Sequence, residues 1–94
     1  MESPSSPVIH NKSKSRFEIE LGGQLAVAEY REQGGRMIFT HTEVPPRFRG
    51  HRIAERLVLA GFDAARTKNL RIVALCSYVA HVLREHPEFQ ELAG

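Results

Sequence analysis

The 94-residue chain has one cysteine, Cys76, and no tryptophan. A single cysteine excludes an intramolecular disulfide and any zinc site built on several thiolates. The histidines His10, His41, His51, His81 and His86 are scattered and make no HExxH or paired-cysteine pattern, so no metal is expected. Long apolar runs are missing too. None approaches the ~20 residues of a membrane span, and the N-terminal "MESPSSPVIHNKSKS" has no apolar core of signal-peptide length. The chain therefore reads as cytoplasmic, without a membrane partner. There is little excess charge: a formal net charge of +2 is too mild to imply nucleic acid by itself. There are no internal repeats, and the length suits one small domain with a modest core.

What is present is ordered simply. Residues 1–15 are rich in Ser, Pro and Lys and read as a loosely held tail, leaving residues 16–94 as the single domain. "RFEIEL" alternates apolar and charged residues as a half-buried strand does. Gly22-Gly23 marks a turn, "QLAVAEY" returns as the second arm of a hairpin, and Gly34-Gly35 marks the next turn. "MIFTHTEV" makes a third strand that stops at Pro45-Pro46. From about His51 to Thr67 the period becomes helical. "LRIVALC" suits a strand buried on both faces, and "YVAHVLREHPEF" a short helix cut by Pro87. The fold class is α/β in the α+β sense. It has a mostly antiparallel sheet of about four strands, one βαβ unit with parallel strands, and a short C-terminal helix. The hairpin could leave an edge strand open, but its charges discourage pairing, so a monomer or weak dimer is expected.

The distribution of charge says more than its sum. "RFRGHRIAER" holds Arg47, Arg49, Arg52 and Arg56 against Glu55, a local balance of +3, where the long helix begins. A helix N-terminus already offers free N–H groups and the positive end of a dipole. Cations gathered there are unfavourable unless an anion neutralises them, and Gly50 lets backbone pass close to a phosphate. Arg47, Arg49 and Arg52 can add bidentate contacts. The plainer alternative is a solvated charged turn.

"HTEVPPRFRGHRIAERLV" together with "LRIVALCSYVAHVLREHPEF" resembles the small single-domain members of the GNAT superfamily, the acetyl-CoA-dependent N-acetyltransferases. The resemblance covers roughly Phe17 to Leu92. It implies a GNAT-like fold whose βαβ unit carries the cofactor turn, and acetyl-CoA or coenzyme A held by that turn without a metal. The family pattern is a basic or glutamine residue, two spacers, then glycine-x-glycine at a helix start. Carried over, Arg47 takes the first position and Gly50 the first glycine. The turn and helix start are Arg49, Gly50, His51, Arg52, Ile53 and Ala54, with Val44, Cys76 and Tyr78 beside the cofactor. Arg52 stands where the family has its second glycine. In a helical first-turn conformation arginine pays no penalty, and that conformation is expected here.

The resemblance also makes Cys76, in the "LCSYV" block, a candidate catalytic residue at the end of its strand and facing the cofactor cleft. Ser77 is expected to cap the following helix. A lone cysteine is otherwise a small buried hydrophobe; a chemical role needs a lowered pKa. Two routes stay open: direct attack of an amine on the thioester, or prior transfer of the acetyl group to Cys76. His41 and Glu43 are candidate bases, placed on one face of the third strand by alternation, with Thr40 and Thr42 on the other. Tyr78 is a candidate acid. The implied function is an N-acetyltransferase acting on a protein lysine, a protein N-terminus or a polyamine. The family's two acceptor-shaping helices have no counterpart in the segment before Phe17, which favours a large acceptor. The alternative is a non-catalytic coenzyme A or acyl-CoA module. A nucleic-acid module is disfavoured, because only Phe48 interleaves the arginines.

Overall fold

The structure is a computed structural model that describes residues 6–94. Its strands are β1 (Ile9–Asn11), β2 (Arg16–Leu21), β3 (Gln24–Gln33), β4 (Arg36–Glu43) and β5 (Arg71–Ala74); its helices are α1 (Ile53–Thr67) and α2 (Ser77–Glu85). They form one sheet in the order β1-β2-β3-β4-β5, antiparallel throughout except for the parallel β4–β5 pair that α1 connects. Five strands thus stand where the sequence suggested about four. Short 3-10 turns cover Lys12–Lys14, Pro46–Phe48 and Pro87–Leu92.

Two-residue loops close the β2–β3 and β3–β4 hairpins. Gly22-Gly23 and Gly34-Gly35 all have positive φ, between 56° and 81°, which suits the right-handed twist of the flanking strands. The inward residues of β2, β3 and β4 are Phe17, Ile19, Leu21, Ala26, Ala28, Tyr30, Met37 and Phe39. Against them α1 lays Ile53, Leu57, Val58, Gly61, Phe62 and Ala65. Val79 and Val82 of α2 join the same cluster. Each large apolar side chain buried this way contributes about 1.5–3 kcal/mol. A row of rings ties the layers together. His10 stacks on Phe17 at 4.1 Å, and contacts continue through Tyr30, Phe39, Phe62 and Phe89.

The N-terminal segment differs from the sequence expectation. Residues 1–5 lie outside the described residues, but Ile9–Asn11 is a strand rather than a loose tail. His10 pairs with Phe17 across the ladder and lies 2.6 Å from the Tyr30 hydroxyl through its Nε2. Arg56 on α1 reaches the Ser6 carbonyl. Polar composition concealed a strand because its worth lies in covering Phe17 and Tyr30, which three residues of sequence cannot show. β1 also covers residues 16–18 of the β2 edge that the hairpin leaves open.

Two further differences follow from packing. Only Ile72 of β5 is fully buried, while Arg71 is exposed and Val73 and Ala74 are half-buried, since the buried apolar side chains form one cluster with both helices. In β4 a bulge leaves Thr40 without a ladder partner between the Tyr30–Phe39 and Glu29–His41 pairs. Strict alternation therefore fails, and Thr42 shares the inward face with Phe39 because it pairs with Ala28. Thr40 does not share that face; it is exposed, with its hydroxyl on the Glu29 carbonyl.

Candidate functional site

β4 and β5 pair only as far as Phe39–Ala74, with one more bond from the Leu75 N–H to the Phe39 carbonyl. Beyond that point β4 runs on to Glu43 while the segment after β5 turns into α2. The two elements part, and the gap opens toward the N-terminus of α1. The bulge at Thr40 and the start of α2 at Ser77 both follow directly on the last β4–β5 pair.

Two confluent clefts occupy this region. One, about 310 Å³, is lined by Val44, Phe48, Arg49, Gly50, Arg52, Ile53, Ala54 and Tyr78. The other, about 560 Å³, is lined by His41, Thr42, Glu43, Val44, Arg49, Ala54 and Tyr78. Val44, Arg49, Ala54 and Tyr78 belong to both, so the clefts form a groove from the mouth of α1 to the end of β4. Pro45-Pro46 and the following 3-10 turn fold the chain back so that Arg49 Nε donates to the Val44 carbonyl at 3.2 Å.

Gly50 has φ +91°, and a β-carbon there would find nothing within 4 Å. The space beside its backbone is open, as a phosphate cradle requires. Arg52 is not helical: it holds the N-cap position of α1 with φ 59° and ψ 24°, in the left-handed region. This corrects the sequence expectation. The backbone keeps the shape a glycine would favour, and arginine bears a strain of about 1–2 kcal/mol in holding it. Helix α1 accordingly starts at Ile53, not at His51. The first-turn N–H groups lie next to the groove, and the Arg52 side chain, 79% exposed, bonds Glu55 at 2.8 Å.

The other residues singled out by sequence divide. Arg47 and His51 are exposed and line neither cleft; the Arg47 guanidinium lies 5.1 Å from the Phe48 ring centre. His41 and Glu43 come together at the second cleft, with Nε2 and Oε1 3.1 Å apart. Tyr78 lies between the clefts. Burial pushes its phenol above the ordinary value, the Glu55 carboxylate adds to this, and Arg52 opposes it.

Cys76 lies beyond the end of β5, is half-buried and lines neither cleft. It, rather than Ser77, is the N-cap of α2. It makes no cap hydrogen bond of good geometry, but its thiol faces the first turn of that helix. Burial pushes the thiol up; the N–H groups of Val79 and Tyr78 and the Thr42 hydroxyl and backbone outweigh this and hold it below the ordinary thiol value. Thr42 Oγ1 is 3.8 Å from the sulfur.

Sequence reasoning overlooked Thr42 as a partner of the thiol, because alternation cannot register a bulge. It also missed the row Arg52–Glu55–His86. Glu55 Oε2 lies 2.9 Å from His86 Nε2, a contact between α1 and the end of α2 for which the sequence holds no local signal. Among the described residues no group of three or more His, Cys, Asp and Glu side chains could hold a metal, and no helix is long and apolar enough to cross a membrane.

Comparison with known proteins gives three concordant findings. A family model for the GCN5-related N-acetyltransferases matches residues 16–92. Protein NATD1 of Danio rerio is 34% identical over 88 residues, covering 90% of this chain and 80% of that protein. The NATD1 protein of Homo sapiens is 32% identical over 83 residues, covering 85% and 74%. The NMR solution structure of a GCN5-like protein from Staphylococcus aureus superposes with a TM-score of 0.73 at 25% identity, over 94% of this chain and 87% of that one.

Proposed function

Because the chain belongs to the GCN5-related N-acetyltransferase family, we propose that it binds acetyl-CoA in the groove at the head of α1 and transfers the acetyl group to an amine. One observation carries this reading. The glycine turn with positive φ at Gly50 and Arg52, the first turn of α1 and the Arg49 guanidinium all line one groove that continues to the end of β4. The space beside Gly50 fits a diphosphate, the N–H groups ahead of Glu55 are its donors, and Arg49 and Arg52 supply charge. Val44 and Ala54 give the groove an apolar floor for the pantetheine arm.

Acetyl-CoA bound there supplies an acetyl group activated as a thioester. His41 donates through Nε2 to Glu43, which leaves Nδ1 free to accept the amine proton. The acceptor nitrogen forms its bond to the carbonyl carbon as the carbon–sulfur bond breaks. Tyr78, kept protonated by its raised pKa, gives its proton to the departing sulfur. His41 is 53% exposed, so the acceptor meets it from solvent, which suits an amine carried on a large molecule. The expected site is the cytoplasm.

The covalent route is favoured by the lowered pKa of Cys76. On this route the thiolate takes the acetyl group, releases coenzyme A thiolate, and yields it to the amine. The absence of Cys76 from the groove lining weighs toward direct transfer.

Calorimetric titration of acetyl-CoA and free coenzyme A into the wild type and an Arg49→Ala/Arg52→Ala variant tests the reading. Binding to the wild type that is lost or much weakened in the variant is expected. No binding to the wild type at near-millimolar ligand overturns it. Turnover of a lysine peptide or spermidine, followed by released thiol, separates a transferase from a module that only holds the coenzyme.

A further inference from the structure

Arg52 holds a strained backbone conformation at the proposed diphosphate turn, yet its side chain is engaged elsewhere. Its Nε donates to Glu55 Oε1 at 2.8 Å. The second oxygen of that carboxylate faces His86 Nε2 at 2.9 Å, and His86 Nδ1 lies 3.4 Å from Glu88 Oε2. A row of alternating charges thus joins the turn before α1 to the segment after α2. The other charged or titratable groups facing it are Tyr78 from α2, which feels both Glu55 and Arg52, and Arg66 from α1, which donates to the Glu88 carbonyl at 3.1 Å.

Glu55 has two opposed effects at this place. In the first turn of α1 a carboxylate complements the helix dipole. Toward a bound diphosphate it is repulsive, and it competes for Arg52. A protonated His86 satisfies Glu55 and leaves Arg52 free to swing to a phosphate; a neutral His86 leaves Arg52 as the carboxylate's only cation in the row.

We propose that the Glu55–His86 pair is a positioning device for Arg52, so that coenzyme affinity at the turn falls as His86 loses its proton. This rests on the turn being the diphosphate site. The chemistry of the row supports it: the Glu55 carboxylate, opposed by burial and aided by Glu88, holds His86 above its ordinary pKa. His86 in turn, followed by Arg52, holds Glu55 below its own. Glu55 therefore stays ionised while His86 changes charge above the ordinary histidine pKa.

The test measures the Kd of acetyl-CoA between about pH 6 and about pH 8.5 for the wild type, Glu55→Gln, His86→Gln and Arg52→Gln. The coenzyme's own phosphate ionisation is common to all four and cancels in the comparison. Relative to Arg52→Gln, wild-type affinity is expected to weaken about two- to fivefold across the range, the worth of one exposed ion pair. Glu55→Gln is expected to bind more tightly than the wild type at the upper pH and to lose that slope; His86→Gln loses the slope as well. A slope identical in wild type and His86→Gln, or weaker binding by Glu55→Gln at the upper pH, overturns the inference while leaving the diphosphate site standing. Binding absent from the wild type at both pH values overturns the site and the inference together. Where Glu55→Gln fails to fold, His86→Gln decides.

Discussion

The hydroxyl of Thr42 lies 3.8 Å from the sulfur of Cys76, across the gap where β4 and β5 part. A residue of β4 and the N-cap of α2 meet there because a single extra residue, Thr40, shifts the alternation of β4. The contact is one of four polar influences, with the Val79, Tyr78 and Thr42 backbone groups, that offset burial and lower the thiol pKa. Thr42→Val removes the hydroxyl and keeps the shape. The thiol pKa is then expected to rise, and alkylation of Cys76 by iodoacetamide near pH 7 to slow by about two- to tenfold. An unchanged pH–rate profile would show that the Thr42 hydroxyl has no part in it.

Turnover separates the two candidate centres. With direct transfer, His41→Ala should lower kcat by roughly 100-fold or more, whereas Cys76→Ala should keep most of the activity. Steady-state rates with a saturating amine decide the matter. An acetyl adduct on the peptide bearing Cys76, found by mass spectrometry together with an inactive Cys76→Ala, would shift the assignment to the covalent route.

Gly61 lets α1 approach the sheet closely. A β-carbon there would stand 2.6 Å from Cε1 and 2.8 Å from Cζ of Phe39. Gly61→Ala gains about 1 kcal/mol of helix propensity but forces the buried ring to move, with an overpacking cost of about 1–3 kcal/mol. Net destabilisation is expected in urea unfolding. A stabilised variant would mean that Phe39 repacks freely.

Removal of residues 1–11 tests the value of β1. His10 stacks on Phe17 and bonds Tyr30, and the deletion exposes both rings and one edge of β2. Lower stability and a raised tendency to associate are expected from thermal unfolding and sedimentation. The composition of this segment suggested a loosely held tail. Equal midpoints for the full and shortened chains would favour that simpler reading.

His10 and His86 should bend the stability profile in opposite directions. Burial, assisted by Lys12 and Lys68, lowers the pKa of His10. Its neutral form belongs to the fold, so its contribution is present above the ordinary histidine pKa and is lost as pH falls through the folded value. The carboxylate of Glu55 raises the pKa of His86. Its contribution is complete below the ordinary pKa and is lost as pH rises through the folded value. His86→Gln should therefore be most destabilising on the acid side of neutrality and His10→Gln on the alkaline side, as read from chemical denaturation at several pH values. Parallel profiles for the two variants would contradict the assignment.

The groove was legible in sequence to the extent that its parts are local. Arg49, Gly50, Arg52, Val44, Ala54 and Tyr78 lie close to motifs with their own backbone logic, and they line the groove. Arg47 and His51 sit within the same motif and point elsewhere, because adjacency in a turn does not fix side-chain direction. Arg52 shows the limit most clearly. A sequence offers no φ, and only the folded turn places this arginine in the left-handed region.

By itself the sequence determined what repeating patterns and local chemistry can fix: the glycine hairpins, the alternation of β2, the helical face of α1, the stop at Pro45-Pro46 and the concentration of cations at a helix start. These depend on backbone preferences and periodicity over a few residues. The tertiary structure alone decided that Ile9–Asn11 is a strand, that Thr42 meets Cys76, and that His86 holds Glu55 beside Arg52. Each of these joins residues from separate elements. Their energies come from burial and charge pairing, which arise only once the sheet and the helices have packed.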